Sequence, residues 1–431
     1  MAERLLEPFP PTEEQADSPD VPVGSAVRAS VPHLRLVPPI PTDEQDAADD
    51  VDGDLRTMAL GSLDFEHGGH LDAVSLAYRT WGQLNAAGDN AVLVLHALTG
   101  DSLCAGENGW WGPVIGPGQG FPIDTTRYYV ICTNVLGGCQ GSTGPGSIDP
   151  DTGEPWGMRF PLTTIGDIVA AQRRLVERLG VRRLIAIGGS IGGFQALEWA
   201  TRHPDLVYAA APLASSGALD AQGIATHSEL GRRAIMADPN WHGGDYARHG
   251  VFPEQGLAIA RMAAMVTYNG RDNLNQRFGR NAAQRPALYE SFGQTFDIEG
   301  YLHYHGAALV KRFDANSYLY LTRAMDLYDV GRDGGEAAWL DRIGAEVPVT
   351  LAGISSDWLF PPGPIASLGE AMTGLGKDVV YEEIVSPHGH DAFLKDWDRV
   401  NEIVAGFMRR AETARERLIR MPAIDGVHRN P

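Results

Sequence analysis

Cysteine is scarce in this 431-residue chain, which has three: Cys104, Cys132 and Cys139. Their spacing fits neither a disulfide framework nor a zinc motif, so a disulfide-stapled scaffold and a structural zinc module are excluded. No apolar run approaches the roughly 18 residues needed to span a bilayer. The start also lacks the cationic and apolar regions of a secretory signal. These absences lead us to expect a soluble protein of a reducing cytoplasm with no membrane partner. Basic surplus is missing as well. The formal net charge is −20, and a nucleic-acid partner, which calls for a basic patch, is not expected.

What is present is an ordinary apolar content of 43%, enough for a sizeable core in one large α/β domain with insertions, or in two domains. Half of the net charge sits in residues 1–54, which hold 13 Asp or Glu against 3 Arg, together with nine prolines. Such a segment buries too little apolar surface to offset its ordering entropy, so a largely disordered acidic arm is expected. A partner-binding arm is the alternative.

From Thr57 the pattern changes. Met58–Phe65 and Ala73–Thr80, separated by His67-Gly-Gly-His, read as an antiparallel hairpin. Ala91–Leu95 and Tyr128–Thr133 read as buried strands. Ile165, Ile168, Val169, Gln172, Leu175, Val176 and Leu179 recur at helical spacing, with Thr164 as N-cap and Gly180 as the stop. Leu184–Ile187 and Leu206–Pro212 are further strands. This alternation predicts an α/β fold with a mostly parallel sheet and helices on both faces. Residues 218–340 then read as helical, with no clear strand, as a lid inserted between two parts of the core (55–217 and 341–431). Strand pattern resumes at Val349–Ile354 and Val379–Val385, and a closing helix is expected from about Asp391 to Thr413.

The stretch from Leu184 to Phe194 organises the rest. Its Gly188-Gly-Ser-Ile-Gly192 fits G-x-S-x-G between a strand and a helix, where a nucleophilic serine sits on a strained turn. The other reading is a glycine-rich turn with an incidental serine. A serine hydroxyl needs a base, and the base needs a group to hold its tautomer. The strand ending at Ile354 delivers Asp357, and the strand ending near Val385 delivers His388 and His390, which gives the order Ser190, Asp357, His390. Asp357 could instead be a turn residue, and His388 competes with His390. His-Gly-His-Asp could suggest a metal site, but no third ligand stands at recognisable spacing, and no metal is expected. Oxyanion donors are expected from the amides of Ile191 and of Leu98, in the loop His96-Ala-Leu-Thr-Gly100. The glycine-rich run 137–144 lacks a P-loop lysine and reads as a tight loop rather than a phosphate cradle.

From about residue 58 to 411 the chain closely resembles the homoserine O-acyltransferases of methionine biosynthesis, mostly homoserine O-acetyltransferases, which have the α/β-hydrolase fold. The resemblance rests on His96-Ala-Leu-Thr-Gly-Asp101, Asn134-Val-Leu-Gly-Gly-Cys-Gln-Gly-Ser-Thr-Gly-Pro145, Gly188-Gly-Ser-Ile-Gly-Gly193, Ala237-Asp-Pro-Asn-Trp241, the Arg312–Asp326 stretch, Ser355-Ser-Asp-Trp-Leu-Phe-Pro-Pro362 and Gly389-His-Asp-Ala-Phe-Leu394. It implies a triad of Ser190, Asp357 and His390. It also implies an amino-acid clamp of Arg261 and Asp391 with Tyr268 lining the same pocket, and a homodimer joined through the lid helices. The implied reaction is ping-pong transfer from acetyl-CoA to L-homoserine, with no permanently bound cofactor. Succinyl-CoA, serine as acceptor, an esterase and a non-catalytic binding protein are the alternatives. Ile191 and Phe194 stand where the family often has methionine. Leu103-Cys104 and Gly112-Pro113 also depart from it, and these departures bear on the choice of donor and acceptor rather than on the chemistry.

Overall fold

A computed structural model describes residues 52–282 and 295–420. Eight strands form one sheet: β1 (Arg56–Asp64), β2 (His70–Trp81), β3 (Ala91–Leu95), β4 (Tyr129–Thr133), β5 (Leu184–Gly189), β6 (Val207–Leu213), β7 (Val349–Ile354) and β8 (Val379–Ile384). Their spatial order is β1-β2-β4-β3-β5-β6-β7-β8. The β1/β2 hairpin is antiparallel, β2 runs antiparallel to β4, and every later pairing is parallel. From β3 to β7 every residue is buried. These strands therefore carry continuous Val, Ile, Leu and Ala instead of an alternating pattern, because both faces of the sheet are covered. β8, at the edge, is mostly half-exposed and carries Glu382 and Glu383.

Helix α1 (Ile165–Arg178) starts as the sequence predicts. The Thr164 hydroxyl accepts from the Asp167 amide while the Asp167 carboxylate accepts from the Thr164 amide. The helix stops at Leu179, followed by Gly180 at φ 83°. Helix α2 (Ile191–Arg202) follows β5 through the single residue Ser190 and is buried almost throughout. Its Glu198, fully enclosed, is neutralised by Arg202 and by a two-pronged contact from Arg332 at 2.7 and 2.8 Å.

Between β6 and β7 the described residues hold a π-helical turn (Ile224–Glu229) and helices α3 (Leu230–Ala237), α4 (Glu254–Tyr268), α5 (Arg271–Phe278), α6 (Asp297–Val310) and α7 (Ala315–Leu327). Strand-like pairing in this stretch is limited to the isolated bridges of Ala218 with Asp329 and Ala282 with Phe296. Residues 283–294 of the expected lid lie outside the described residues. Helix α7 is almost wholly buried and tied to the core, with the Tyr320 hydroxyl donating to the Phe160 carbonyl.

Two expectations need correction. The closing helix, α9, spans Trp397–Arg420 and follows α8 (Pro362–Gly374). It does not begin at Asp391, because Gly389–Leu394 form a 3₁₀ turn after Gly389 at φ 69°. It outlasts Thr413 because Ala411 and Ala414 continue the buried stripe. A short parallel pair, Ile115–Gly116 with Ile123–Asp124, was also not anticipated. The expected arm, residues 1–54, lies outside the described residues except for its last three. There the chain is already attached, since the Gly53 amide donates to Thr80 O and Asp52 accepts from the Gly82 amide. No helix among the described residues is long and apolar enough to cross a membrane.

Candidate active site

Ser190 sits where β5 turns into α2, at φ 61° and ψ −129°, a conformation that L side chains rarely adopt. Backbone ties hold it there: its amide donates to Leu213 O at 3.0 Å, and its carbonyl accepts from the Ser215 hydroxyl at 2.8 Å. The glycines around it are sterically required. A Cβ on Gly192 would lie 2.1 Å from Leu95 O, and one on Gly189 would lie 2.4 Å from the Phe393 ring. The elbow can form only because helix and strand approach this closely.

Asp357 follows β7 and is buried. Its Oδ1 accepts from the amides of Leu359 and Phe360, both at 2.9 Å, and its Oδ2 meets His390 Nδ1 at 2.6 Å. The turn role and the partner role weighed from sequence are therefore both filled, one by each oxygen. His388 pairs instead with Asp396 at 2.8 Å. His390 is 2% exposed and lies among three rings: Phe360 at 5.4 Å, Phe393 at 5.7 Å and Tyr268 at 5.8 Å. Burial by itself would depress its pKa, but the charge and hydrogen bond of Asp357, with Asp391 adding, hold it above the usual histidine value.

His390 Nε2 is buried and has no hydrogen-bond partner among the described residues. Ser190 and His390 are linked by residues that pack near both. Phe360 contacts both His390 and Phe194, one turn beyond Ser190, and Phe393 packs against Gly189. A serine–histidine bond that tightens only with substrate is common at such sites.

Leu98 lies in the turn after β3, and Ile191 is the first residue of α2. Neither amide donates to an acceptor among the described residues, which leaves both N–H groups available, that of Ile191 at the start of α2. The glycine-rich run 137–144 folds as a tight loop tied to β2: Gly137 N donates to Thr143 O, and Thr143 Oγ1 accepts from Ser75 N.

On α4, Arg261 is half-buried. Its Nη1 donates to Thr99 Oγ1 at 3.3 Å, and its guanidinium stands 5.3 Å from the Tyr268 ring centre. Asp391 adjoins His390 in sequence and pairs with Lys395 at 3.0 Å. Burial, with Asp391 nearby, raises the Tyr268 phenol to about 12 despite the opposing charge of Arg261. Three neighbours were not anticipated: His227, whose Nε2 meets Tyr268 Oη at 2.9 Å; Arg312, which donates to Thr99 O at 2.7 Å; and Lys395. Arg312 stands within a stretch that carries the family resemblance, whereas His227 sits in a polar run with no motif to mark it. An open groove of about 840 Å³ on Arg271, Ser355, Ser356, Trp358 and Val385 borders the Asp357 loop but includes no triad side chain.

A family profile described as alpha/beta hydrolase fold matches residues 90–396. The homoserine O-acetyltransferase of Caulobacter vibrioides is 47% identical over 371 residues, covering 84% of this chain and 96% of that protein. Among solved structures, homoserine O-acetyltransferase from Bacillus anthracis superposes with a TM-score of 0.78 at 27% identity, covering 83% of this chain and 98% of that one. Esterase E22 superposes with a TM-score of 0.76 at 29% identity, covering 82% and 99%.

Proposed function

Since the chain belongs to the α/β-hydrolase fold family and, within it, to the homoserine O-acetyltransferases, we propose that it transfers an acetyl group from acetyl-CoA to the hydroxyl of L-homoserine, in methionine biosynthesis in the cytoplasm. The transfer is ping-pong. His390 takes the proton of Ser190, whose Oγ attacks the thioester carbonyl. The oxyanion is held by the amides of Ile191 and Leu98. CoA leaves as the thiol, taking the proton back from His390. Homoserine then enters, His390 accepts its hydroxyl proton, and the acetyl group passes to oxygen as Ser190 is regenerated. Asp357 keeps the imidazole in the tautomer that leaves Nε2 free to act and stabilises the imidazolium. No step calls for a resident cofactor or metal.

The observation that favours a transferase over a plain esterase is Arg261. It is a half-buried guanidinium beside the oxyanion loop, where its Nη1 donates to Thr99 Oγ1, and Asp391 pairs with Lys395 rather than with it. A neutral ester has no use for it, whereas the carboxylate of an amino acid fits its fork. Asp391 receives the ammonium, in competition with Lys395. The domain boundaries expected above assign residues 218–340 the task of covering the acyl-enzyme against water. The homodimer forms through the lid, where Leu230, Ile259, Val266 and Tyr304 are exposed on α3, α4 and α6.

Thiol release from acetyl-CoA and from succinyl-CoA, each with homoserine, with serine and with no acceptor, tests this reading. Fast release only with acetyl-CoA and homoserine is expected. Preference for succinyl-CoA or serine reassigns the substrate, and equal release without acceptor makes the protein a hydrolase.

A further inference from the structure

We propose that His227 is a positioning residue for the amino-acid half of the site, acting through Tyr268. It lies on the π-helical turn Ile224–Glu229, against which α4 packs. Turns of this kind are rare and recur at functional sites. The imidazole is 1% exposed, and its Nε2 makes a 2.9 Å hydrogen bond to Tyr268 Oη, the rings standing 5.4 Å apart at 43°. That bond sets the rotation of a phenol whose ring lies close to two groups the reaction uses. The Arg261 guanidinium is 5.3 Å from the ring centre, and the His390 imidazole is 5.8 Å from it at 31°. His227 thus governs the ring against which the Arg261 clamp is held, without touching a reacting atom.

A merely space-filling histidine would fit the position poorly. Its Nδ1 is buried with no partner among the described residues, a state that costs stability and that an apolar side chain would avoid. Burial, with His390 and Arg261 adding, holds its pKa down at about 3, so the ring is neutral. It keeps one donor and one acceptor and adds no charge to a pocket that already holds Arg261 and Arg312.

This inference rests on Arg261 holding the acceptor carboxylate, and two half-reactions separate them. The first is the pre-steady-state burst of thiol from acetyl-CoA without acceptor; the second is homoserine-dependent turnover. His227→Leu and Tyr268→Phe are each expected to raise the KM for homoserine about tenfold, the scale of one lost buried hydrogen bond, and His227→Leu to leave the burst nearly unchanged. The double variant should be no worse than either single one. His227→Gln, whose amide reaches the position of Nε2, should restore most of the loss. Melting curves establish that each variant is folded. If His227→Leu does not fold, Tyr268→Phe and His227→Gln still carry the comparison. An unchanged KM in Tyr268→Phe or a foldable His227→Leu, losses that add in the double variant, or a burst that falls in step with turnover in His227→Leu would overturn the assignment. A wild type that ignores homoserine overturns the functional reading and this inference together, whereas one that uses homoserine while the His227 variants behave as wild type overturns the inference alone.

Discussion

In the proposed mechanism His390 takes a proton only when neutral, so the pKa raised by Asp357 places a limit on activity. Acylation should fall as pH drops through a value above that of an ordinary histidine, because the protonated imidazole cannot accept from Ser190. Asp357→Asn removes the charge and leaves the burial, so this limb should move to lower pH while the rate falls by roughly a thousandfold or more. A pH profile of the thiol burst reads both effects. The same shift has the opposite sense for stability. The pair favours the folded state at pH values where the histidine is protonated, and that contribution is lost as pH rises through the folded pKa. At this scale the sequence was legible where a residue's neighbours in the chain carry the meaning, as at Ser190 between its glycines. It was silent where meaning lies in contacts between distant segments. The 2.6 Å approach of Asp357 to His390 and the tilted contact of the Tyr268 and His390 rings join residues tens of positions apart, and no local pattern encodes His227.

The β5–Ser190–α2 elbow depends on a backbone approach that only glycine permits. Gly192→Ala would push a methyl into Leu95 O at a nominal 2.1 Å, forcing α2 away from β3. Overpacking of this kind costs on the order of 1–3 kcal/mol, and here it also displaces the Ile191 amide. Gly192→Ala should therefore lower the melting temperature and the burst rate together, whereas Gly363→Ala, with open space at its Cβ, should leave the burst unchanged. Elements that bury one face or a whole strand were readable from their apolar spacing, and α1 was found with its cap. The closing helix was placed too early because Ala392, Phe393 and Leu394 continue its apolar character. What interrupts it is Lys395, whose backbone at φ −138° and ψ −39° is not helical, so the 3₁₀ turn Gly389–Leu394 ends before the helix starts at Trp397. A backbone break after the turn thus decides a boundary that composition leaves open.

For the molecule as a whole, a net charge of −20 opposes casual association, so apolar side chains left in solvent on the lid carry weight. Leu230, Ile259 and Tyr304 are each more than half exposed, on α3, α4 and α6. Sedimentation should give a dimer, and Ile259→Glu should shift it towards monomer, since an added like charge on an apolar contact opposes pairing. A wild-type monomer at micromolar concentration would contradict the arrangement. The sheet order was not legible: β4 lies between β2 and β3, and a chain read in sequence does not disclose that crossover. That Ser190 and Asp357 stand at the same end of the sheet was legible, because loops after parallel strands gather at their carboxyl ends.

We propose that the acetyl group passes through Ser190. Mass spectrometry of the peptide bearing Ser190, after mixing with acetyl-CoA alone and again after a chase with homoserine, tests it most directly. One acetyl group on Ser190 is expected before the chase, and its loss afterwards with matching O-acetylhomoserine. Transfer that proceeds with Ser190 never acetylated, or an acetyl-Ser190 that decays at the same rate with and without homoserine, would contradict it.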